Sequence, residues 1–232
     1  MKGMCLALFG LVVIGCSQQF PTGPTPTATT AATLSAVLAQ SAPESNDQLV
    51  IPPQYSDING NPATDPDTPL YRRTNAAGAI FSPPFPIYTP DGDLVTLSEY
   101  MAVEGSASVK CIPEGTHVVV HMTGLIPKGL YTVWMVAFHT PGAPLASAGV
   151  GALGTSDGSQ NIFRASSAGT GSISGIAPGG PLSFRGTIAN CALTDEAELH
   201  VVGAYHIDQT TWGPAPGNGP GTFIEQFAFI FN

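Results

Sequence analysis

The chain has 232 residues, with 7 basic and 16 acidic side chains and a formal net charge of −9. This balance, without any run of Lys or Arg, argues against a nucleic-acid backbone or an anionic lipid surface as a partner, because both are recognised by clustered basic side chains. The 27 glycines and 22 prolines are too many for a helical bundle and predict short strands joined by many turns.

Residues 1–15 have the pattern of a secretory signal peptide. A basic start at Lys2 precedes an apolar stretch over 4–14, which is too short to stay in a membrane as a spanning helix. The sequence therefore predicts export.

The motif VIGC at 13–16 resembles the lipobox of bacterial lipoproteins. The resemblance implies cleavage before Cys16, a diacylglycerol on its thiol and an acylated (palmitate-type) amino terminus, and several acyl chains anchor a protein firmly in a membrane. Ser17 follows the cysteine instead of Asp, which in this family implies sorting to the outer membrane. An ordinary signal peptide that is cut nearby is the alternative.

The remaining cysteines predict one disulfide. Cys5 leaves with the signal peptide and Cys16 carries lipid, so Cys111 and Cys191 are left in an oxidising compartment. Closing a loop of about 80 residues would stabilise the fold by roughly 4 to 5 kcal/mol in the chain-entropy model. Two separate buried thiols are the alternative.

Residues 16–75 are rich in Pro, Thr, Ala and Ser, with few aromatic residues and no sustained alternation. Such a segment buries too little apolar surface to offset its ordering entropy, so we predict a disordered tether between the lipid and the folded domain. Within it, DINGNPATDPD at 57–67 spaces oxygen ligands as calcium loops do, but Pro62 stands where an EF-hand needs Gly. A polar turn cluster is the favoured interpretation.

Residues 76–232 alternate apolar runs with Gly/Pro turns, which predicts a mainly β domain, an antiparallel two-sheet β-sandwich. Thr96 and Glu99 form a capping-box pattern that predicts one short helix over 96–103. The strands of the domain are predicted at 107–112, 117–123, 130–138, 161–165, 171–176, 182–188, 198–206 and 222–231.

Three stretches of this domain are GLIPKGLYTVW at 124–134, GALGTSDGSQNIFRAS at 151–166 and ELHVVGAYH at 198–206. They are similar to a group of uncharacterised exported bacterial proteins with a sandwich-type domain, over about 86–231. The resemblance implies export and the sandwich fold, and it implies no activity.

All five histidines lie in the predicted domain, which suggests a zinc or copper site made by His121, His200 and His206. Two histidines on one strand are too far apart to share an ion, so neighbouring strands would have to bring them together. His121 alternates with the apolar Val120 and Met122, which instead favours a place on the solvated face.

GTSDG at 154–158 matches the nucleophile-elbow pattern of serine hydrolases, with Ser156 as nucleophile and Asp195 and His200 following in hydrolase order. That elbow needs a strand before it and a helix after it. Because a turn and a strand are predicted here, a hairpin loop is the better interpretation, and we assign no catalytic residue.

The binding candidates are Trp212, Asp208 and Glu225. Trp212 stands in a Gly/Pro-rich loop over 208–221 close to Asp208, where an aromatic side chain can contact a sugar or a protein. Glu225 lies among phenylalanines, either paired with Arg164 or Arg185 or acting as a ligand-binding acid.

Together these features predict a lipid-anchored protein of the bacterial cell envelope, serving as a non-catalytic binding or surface module for a protein or glycan. No cofactor is expected. A zinc or copper protein is the alternative, followed by a serine hydrolase.

Overall fold

The computed structural model describes residues 44–46, 48–75, 78–138, 147–178 and 198–231. These residues form three antiparallel sheets and one short helix, and the two larger sheets pack as a β-sandwich. In chain order the elements are β1 (Glu44–Asn46), β2 (Leu49–Val50), β3 (Tyr55–Ser56), β4 (Tyr71–Thr74), β5 (Ile80–Pro86), α1 (Leu97–Met101), β6 (Glu104–Ile112), β7 (Gly115–Thr123), β8 (Leu130–Phe138), β9 (Ser147–Ala152), β10 (Ile162–Arg164), β11 (Gly171–Pro178), β12 (Glu198–His206) and β13 (Phe223–Phe231).

The strand order defines three sheets. Sheet A is β1-β6-β7-β11, and sheet B is β10-β8-β12-β13-β2 with β9 also paired to β8. Sheet C is the small β3-β4-β5 sheet. The long strands β8 and β13 have neighbours on both sides and are therefore interior strands of sheet B.

The core lies between sheets A and B and follows the two-residue period of the strands. In β7, Val118, Val120 and Met122 point inward, and in β8 Val133 and Met135 do the same. One face of each strand is thereby removed from water, and this fixes the register, since a slip by one residue would expose the apolar set.

The short helix forms where the capping box predicts it. Thr96 Oγ1 accepts a hydrogen bond from the Glu99 amide at 3.3 Å, and the Thr96 amide donates to Glu99 Oε2 at 2.8 Å. The helix buries Tyr100, whose hydroxyl donates to the carbonyl of Glu225 at 2.7 Å. α1 is therefore hydrogen-bonded to β13 of sheet B.

Seven of the predicted strands correspond to β6, β7, β8 and β10 to β13, while the prediction over 182–188 lies outside the described residues. The pattern missed β5 and β9. β5 contains Pro83, Pro84 and Pro86, and proline counts against a strand because it donates no hydrogen bond to the ladder.

The tether prediction over 16–75 is wrong for its last part. β1 pairs with β6, β2 pairs with β13, and Leu70 is fully buried, so the folded region already includes 44–46 and 48–75. These strands have only two to four residues and no alternation of their own, and they form by adding to sheets that other segments supply. Residues 1–43, with Cys16 and the signal pattern, lie outside the described residues.

Within the described ranges, the structure contains no helix with the length and apolar character needed to cross a membrane.

Candidate functional site

The outer face of sheet B, turned away from sheet A, carries a group of partly polar side chains that other segments cover. In register, Ala204 of β12 lies opposite both Thr132 of β8 and Glu225 of β13. We call this group the covered face; its members are Thr132, Trp134, Ala204, His206, Phe223 and Glu225. Trp134 and Ala204 pack together with Ala152 and Phe223 in an apolar cluster separate from the main core.

A buried hydrogen-bond network occupies one end of the covered face. Thr132 Oγ1 accepts from Trp134 Nε1 at 2.8 Å and lies 2.8 Å from His206 Nε2. All three residues are at most 4% exposed, and His206 Nδ1 has no hydrogen-bond partner in the described part of the chain. Burial lowers the pKa of His206, although the nearby charge of Asp208 raises it in part. Burial thus favours the neutral form of this imidazole.

Glu225 forms a second polar group on the same face. Its Oε2 accepts from Gln54 Nε2 at 2.9 Å. Burial raises the pKa of Glu225, while the charge of Arg72 and the bond from Gln54 lower it. Of the two expected partners, Arg164 is wrong, because it donates to the Lys128 carbonyl at 2.7 Å; Arg185 lies outside the described residues, so that pairing stays a prediction.

Arg72 crosses from sheet C to the covered face. Its guanidinium carbon lies 4.3 Å from the ring centroid of Phe223, and Nη1 donates to the Pro220 carbonyl at 2.7 Å. Burial lowers the pKa of Arg72 to about 10, against the opposing effect of Glu225. A charged side chain is here enclosed by aromatic rings and backbone oxygens.

The loop over 208–221 is held in place at its start. Gln209, in the left-handed region at φ 53°, donates from Nε2 to the His206 carbonyl at 2.6 Å and accepts from the Leu130 amide at 3.2 Å. Trp212 Nε1 donates to Asp208 Oδ2 at 3.0 Å, so the sequence correctly placed these two candidates together. Trp212 is half-buried, and Glu225 belongs to the separate Gln54 and Arg72 group.

The same loop touches the turn over 154–158. Gly158 has φ 73°, and a Cβ there would lie 1.9 Å from the carbonyl oxygen of Gly213, so only glycine fits this contact. Asp157 accepts from Thr155 Oγ1 at 2.6 Å and from the Ser159 amide at 3.0 Å, and the Thr155 bond is the main reason why its pKa falls to about 2.

Ser156 is exposed in this turn, and strand β10 follows it instead of a helix. The nucleophile-elbow hypothesis is therefore wrong at Ser156. The hairpin-loop interpretation is wrong as well, because the flanking strands β9 and β10 both pair with β8 and not with each other. Asp195 lies outside the described residues. Another serine and histidine do meet on sheet A, where His117 Nε2 lies 2.9 Å from Ser174 Oγ, but neither described ion pair supplies a carboxylate to that imidazole.

The three histidines of the metal hypothesis do not converge. His121 is exposed on the outer face of sheet A, whereas His200 and His206 lie six residues apart on β12 of sheet B. His200 contacts Glu198 on its own strand. Across the described ranges no three His, Cys, Asp or Glu side chains are grouped for a metal ion. The hypothesis is wrong because strand order, which the sequence does not reveal, puts His121 on one outer face of the sandwich and His200 and His206 on the other.

The polar segment at 57–67 forms turns. Asp57 Oδ1 accepts from the amides of Asn59 and Asn61 at 2.9 and 2.7 Å, and chiefly the Asn61 bond lowers the pKa of Asp57. Asp65 Oδ1 accepts from the Asp67 amide at 3.0 Å in the same way. This agrees with the polar turn cluster favoured from the sequence.

Cys111 is 4% exposed on β6, on the side of the strand that carries the buried Ala107 and Val109. Cys191 lies outside the described residues, so the pairing of the two cysteines stays a prediction.

Sequence reasoning missed Thr132, Gln54 and Arg72. A signal for Thr132 was available, since it lies two residues before Trp134 in a strand and therefore shares its face. No local pattern identifies Gln54 or Arg72, because both belong to short segments whose position depends on the rest of the fold.

No protein-family model matches this chain, and no curated protein matches it.

Proposed function

We propose that this chain is an exported bacterial lipoprotein, anchored through Cys16 to the outer membrane, whose sandwich is a non-catalytic binding module for a glycan or protein of the cell envelope. The lipobox-like VIGC at 13–16 supports the anchor. The fixed loop around Trp212 supports the binding role.

The single observation that carries the binding role is the ordered position of Trp212. Its indole is half-buried, and Asp208 holds its Nε1 at 3.0 Å. The loop is fixed again where Gly213 meets Gly158 and where Pro220 accepts from Arg72. A large aromatic surface that is already ordered loses little entropy on binding, which favours contact with a ligand.

Binding is tested with the full mature chain, in detergent micelles that hold its acyl chains, by co-sedimentation with isolated peptidoglycan sacculi and with beads that carry detergent-extracted outer-membrane proteins. Trp212→Ala should weaken binding at least tenfold, and Thr123→Ala, exposed at the end of β7 on the other sheet, should leave it unchanged. Equal binding of Trp212→Ala and the unmodified chain, or no binding to either preparation, would reject the role of this loop.

Anchoring is tested by labelling cells that express the full chain with an alkyne analogue of palmitate. Label should be incorporated and the protein should sediment with membranes, whereas Cys16→Ser should abolish the label and release the protein. A labelled Cys16→Ser variant would contradict lipidation at this cysteine.

We also propose that Cys111 and Cys191 form a disulfide. Cys111 is buried, as is usual for a cysteine in a disulfide. The bond would close a loop of about 80 residues and stabilise the domain by roughly 4 to 5 kcal/mol in the chain-entropy model. Alkylation under denaturing, non-reducing conditions should leave both thiols unmodified, and Cys191→Ser should make Cys111 reactive. Alkylation of both cysteines in the unmodified chain would exclude the bond.

A further inference from the structure

Sheet C and the turn beside it enclose a half-open cavity of about 330 Å³. It lies on the far side of β4 from the covered face, since Arg73 lines the cavity while its neighbour Arg72 reaches Phe223. The other lining residues include Pro53, Tyr55, Ser56, Pro62 and Ala63. The volume is at the lower end of the range for small-molecule sites.

The guanidinium of Arg73 is held at the wall of this cavity. Arg73 Nη1 donates to the Phe81 carbonyl at 2.6 Å. The backbone of Gly60, at φ 81°, packs so closely on the guanidinium that a Cβ at Gly60 would lie 2.9 Å from Arg73 Cζ. The positive charge is therefore positioned before any ligand arrives, which lowers the entropic cost of binding.

Arg73 takes part in neither ion pair of the described residues, which join Lys128 to Asp91 and His200 to Glu198. A guanidinium has five N–H donors in a planar fork, and the bond to Phe81 uses one of them. Asp57, the acid of the adjoining turn, is bonded to Asn59 and Asn61. The remaining donors of Arg73 thus suit a carboxylate from outside the described chain.

The rest of the cavity is mainly apolar. Pro53, Pro62 and Ala63 are rigid or small, and the ring of Tyr55 is fixed against Tyr100 at a centroid distance of 5.2 Å. A ligand with a compact apolar body would remove these surfaces from water at the same time as its carboxylate meets Arg73.

We propose that this cavity binds a carboxylate with a compact apolar body, such as a small organic acid, and that Arg73 binds the carboxylate group. The site is separate from the Trp212 loop, so it goes beyond the binding role proposed above. Variants at Arg73 and Trp212 test the two proposals independently.

The test is isothermal titration of the full mature chain with benzoate and cyclohexanecarboxylate, and with benzyl alcohol as the neutral analogue. Both acids should bind saturably in the millimolar range, and benzyl alcohol should bind at least tenfold more weakly. Arg73→Gln, which keeps a donor for the Phe81 carbonyl, should weaken binding of the acids at least tenfold. Lys110→Gln on sheet A and Trp212→Ala should leave it unchanged.

A second variant guards against misfolding of Arg73→Gln. Ala63→Phe fills the cavity while Arg73 stays in place, and it should also abolish binding. The proposal is overturned if Arg73→Gln or Ala63→Phe binds benzoate as the unmodified chain does, if benzyl alcohol binds equally well, or if neither acid binds at millimolar concentrations. An acetylated dipeptide with a free C-terminal Phe distinguishes the source: tighter binding than benzoate points to a peptide C-terminus, weaker binding to a free organic acid.

Discussion

The two outer faces of the sandwich differ in what lies on them. On sheet A, Ser106, His121 and Ser172 stand side by side on neighbouring strands, and all three are exposed. On sheet B, the corresponding positions include Thr132, Trp134 and His206, which are buried. One sheet therefore meets solvent directly, while the other is covered in part by sheet C and the 208–221 loop.

The same strand geometry thus gives two different faces, depending on the segments that cover it. β7 alternates buried apolar residues with more exposed, mostly polar ones, as expected for a strand with one side in solvent, whereas β8 is buried on both sides over 130–135, Thr132 included. The polar atoms that β8 buries have to be paired within the protein, so Thr132 serves both Trp134 and His206.

The largest effect on stability is expected when a buried side chain on the outer face of sheet B is truncated. Trp134→Ala should lower the free energy of unfolding by about 3 to 5 kcal/mol, because it empties a buried site on sheet B. His121→Ala on the exposed face of sheet A should change it by no more than about 0.5 kcal/mol. Urea denaturation followed by circular dichroism measures both, and similar losses would show that the two faces do not differ.

A smaller effect is expected from the Thr132 hydroxyl. Thr132→Val keeps the shape but leaves Trp134 Nε1 and His206 Nε2 without their partner, at a cost of about 1 to 3 kcal/mol. The matched control is Thr123→Val on the exposed end of β7, where water replaces the lost contacts. If both variants unfold at the same urea concentration, the network contributes nothing to stability.

The buried His206 should also make the free energy of unfolding depend on pH. Its folded-state pKa lies below 6.5, the value for the unfolded chain, so its contribution to stability is fully present above pH 6.5 and is lost as pH falls through the folded-state pKa. Unfolding free energies at several pH values should show this loss in the unmodified chain, and it should be reduced in His206→Gln. If His206→Gln has the same pH profile as the unmodified chain, a group other than His206 takes up the proton. His121→Gln, at an exposed position, is the control and should keep the profile of the unmodified chain.

The smallest effect is expected from Glu225 and has the opposite sign. Its folded-state pKa is raised above 4.5, so its contribution to stability is present below pH 4.5 and is lost as pH rises through the folded-state pKa. Relative to the unmodified chain, Glu225→Gln should therefore gain stability as pH rises through this range. Denaturation of both proteins at matched pH tests this, and a constant difference between them would mean that the carboxyl is not perturbed.

The sequence predicted the sandwich well where the strands are long. β8 and β12 begin and end where the apolar pattern predicts, and the Thr96 and Glu99 pair located the helix. It failed for the segment at 48–75, where short strands have no period of their own and gain their hydrogen bonds only from neighbours.

Of the candidate site, the sequence predicted only the contact between residues that are close together in the chain. Asp208 and Trp212 are four residues apart, so their contact depends on one loop. The Gln54–Glu225 bond joins residues 171 positions apart. No local pattern indicates a partner at that distance, and the Arg164 partner expected from the sequence was therefore wrong.

By itself, the sequence determined the β class, the capped helix at 97–101 and the solvent-exposed side of β7, because these follow from local capping chemistry and from the two-residue period of strands. Only the tertiary structure decided that His121 and His200 belong to different sheets, that Arg72 meets Phe223 while Arg73 lines the cavity, and that 44–46 and 48–75 join the fold. The physical reason is that strand pairing is non-local: hydrogen bonds between distant segments set which residues meet, and no pattern within one segment records its partner.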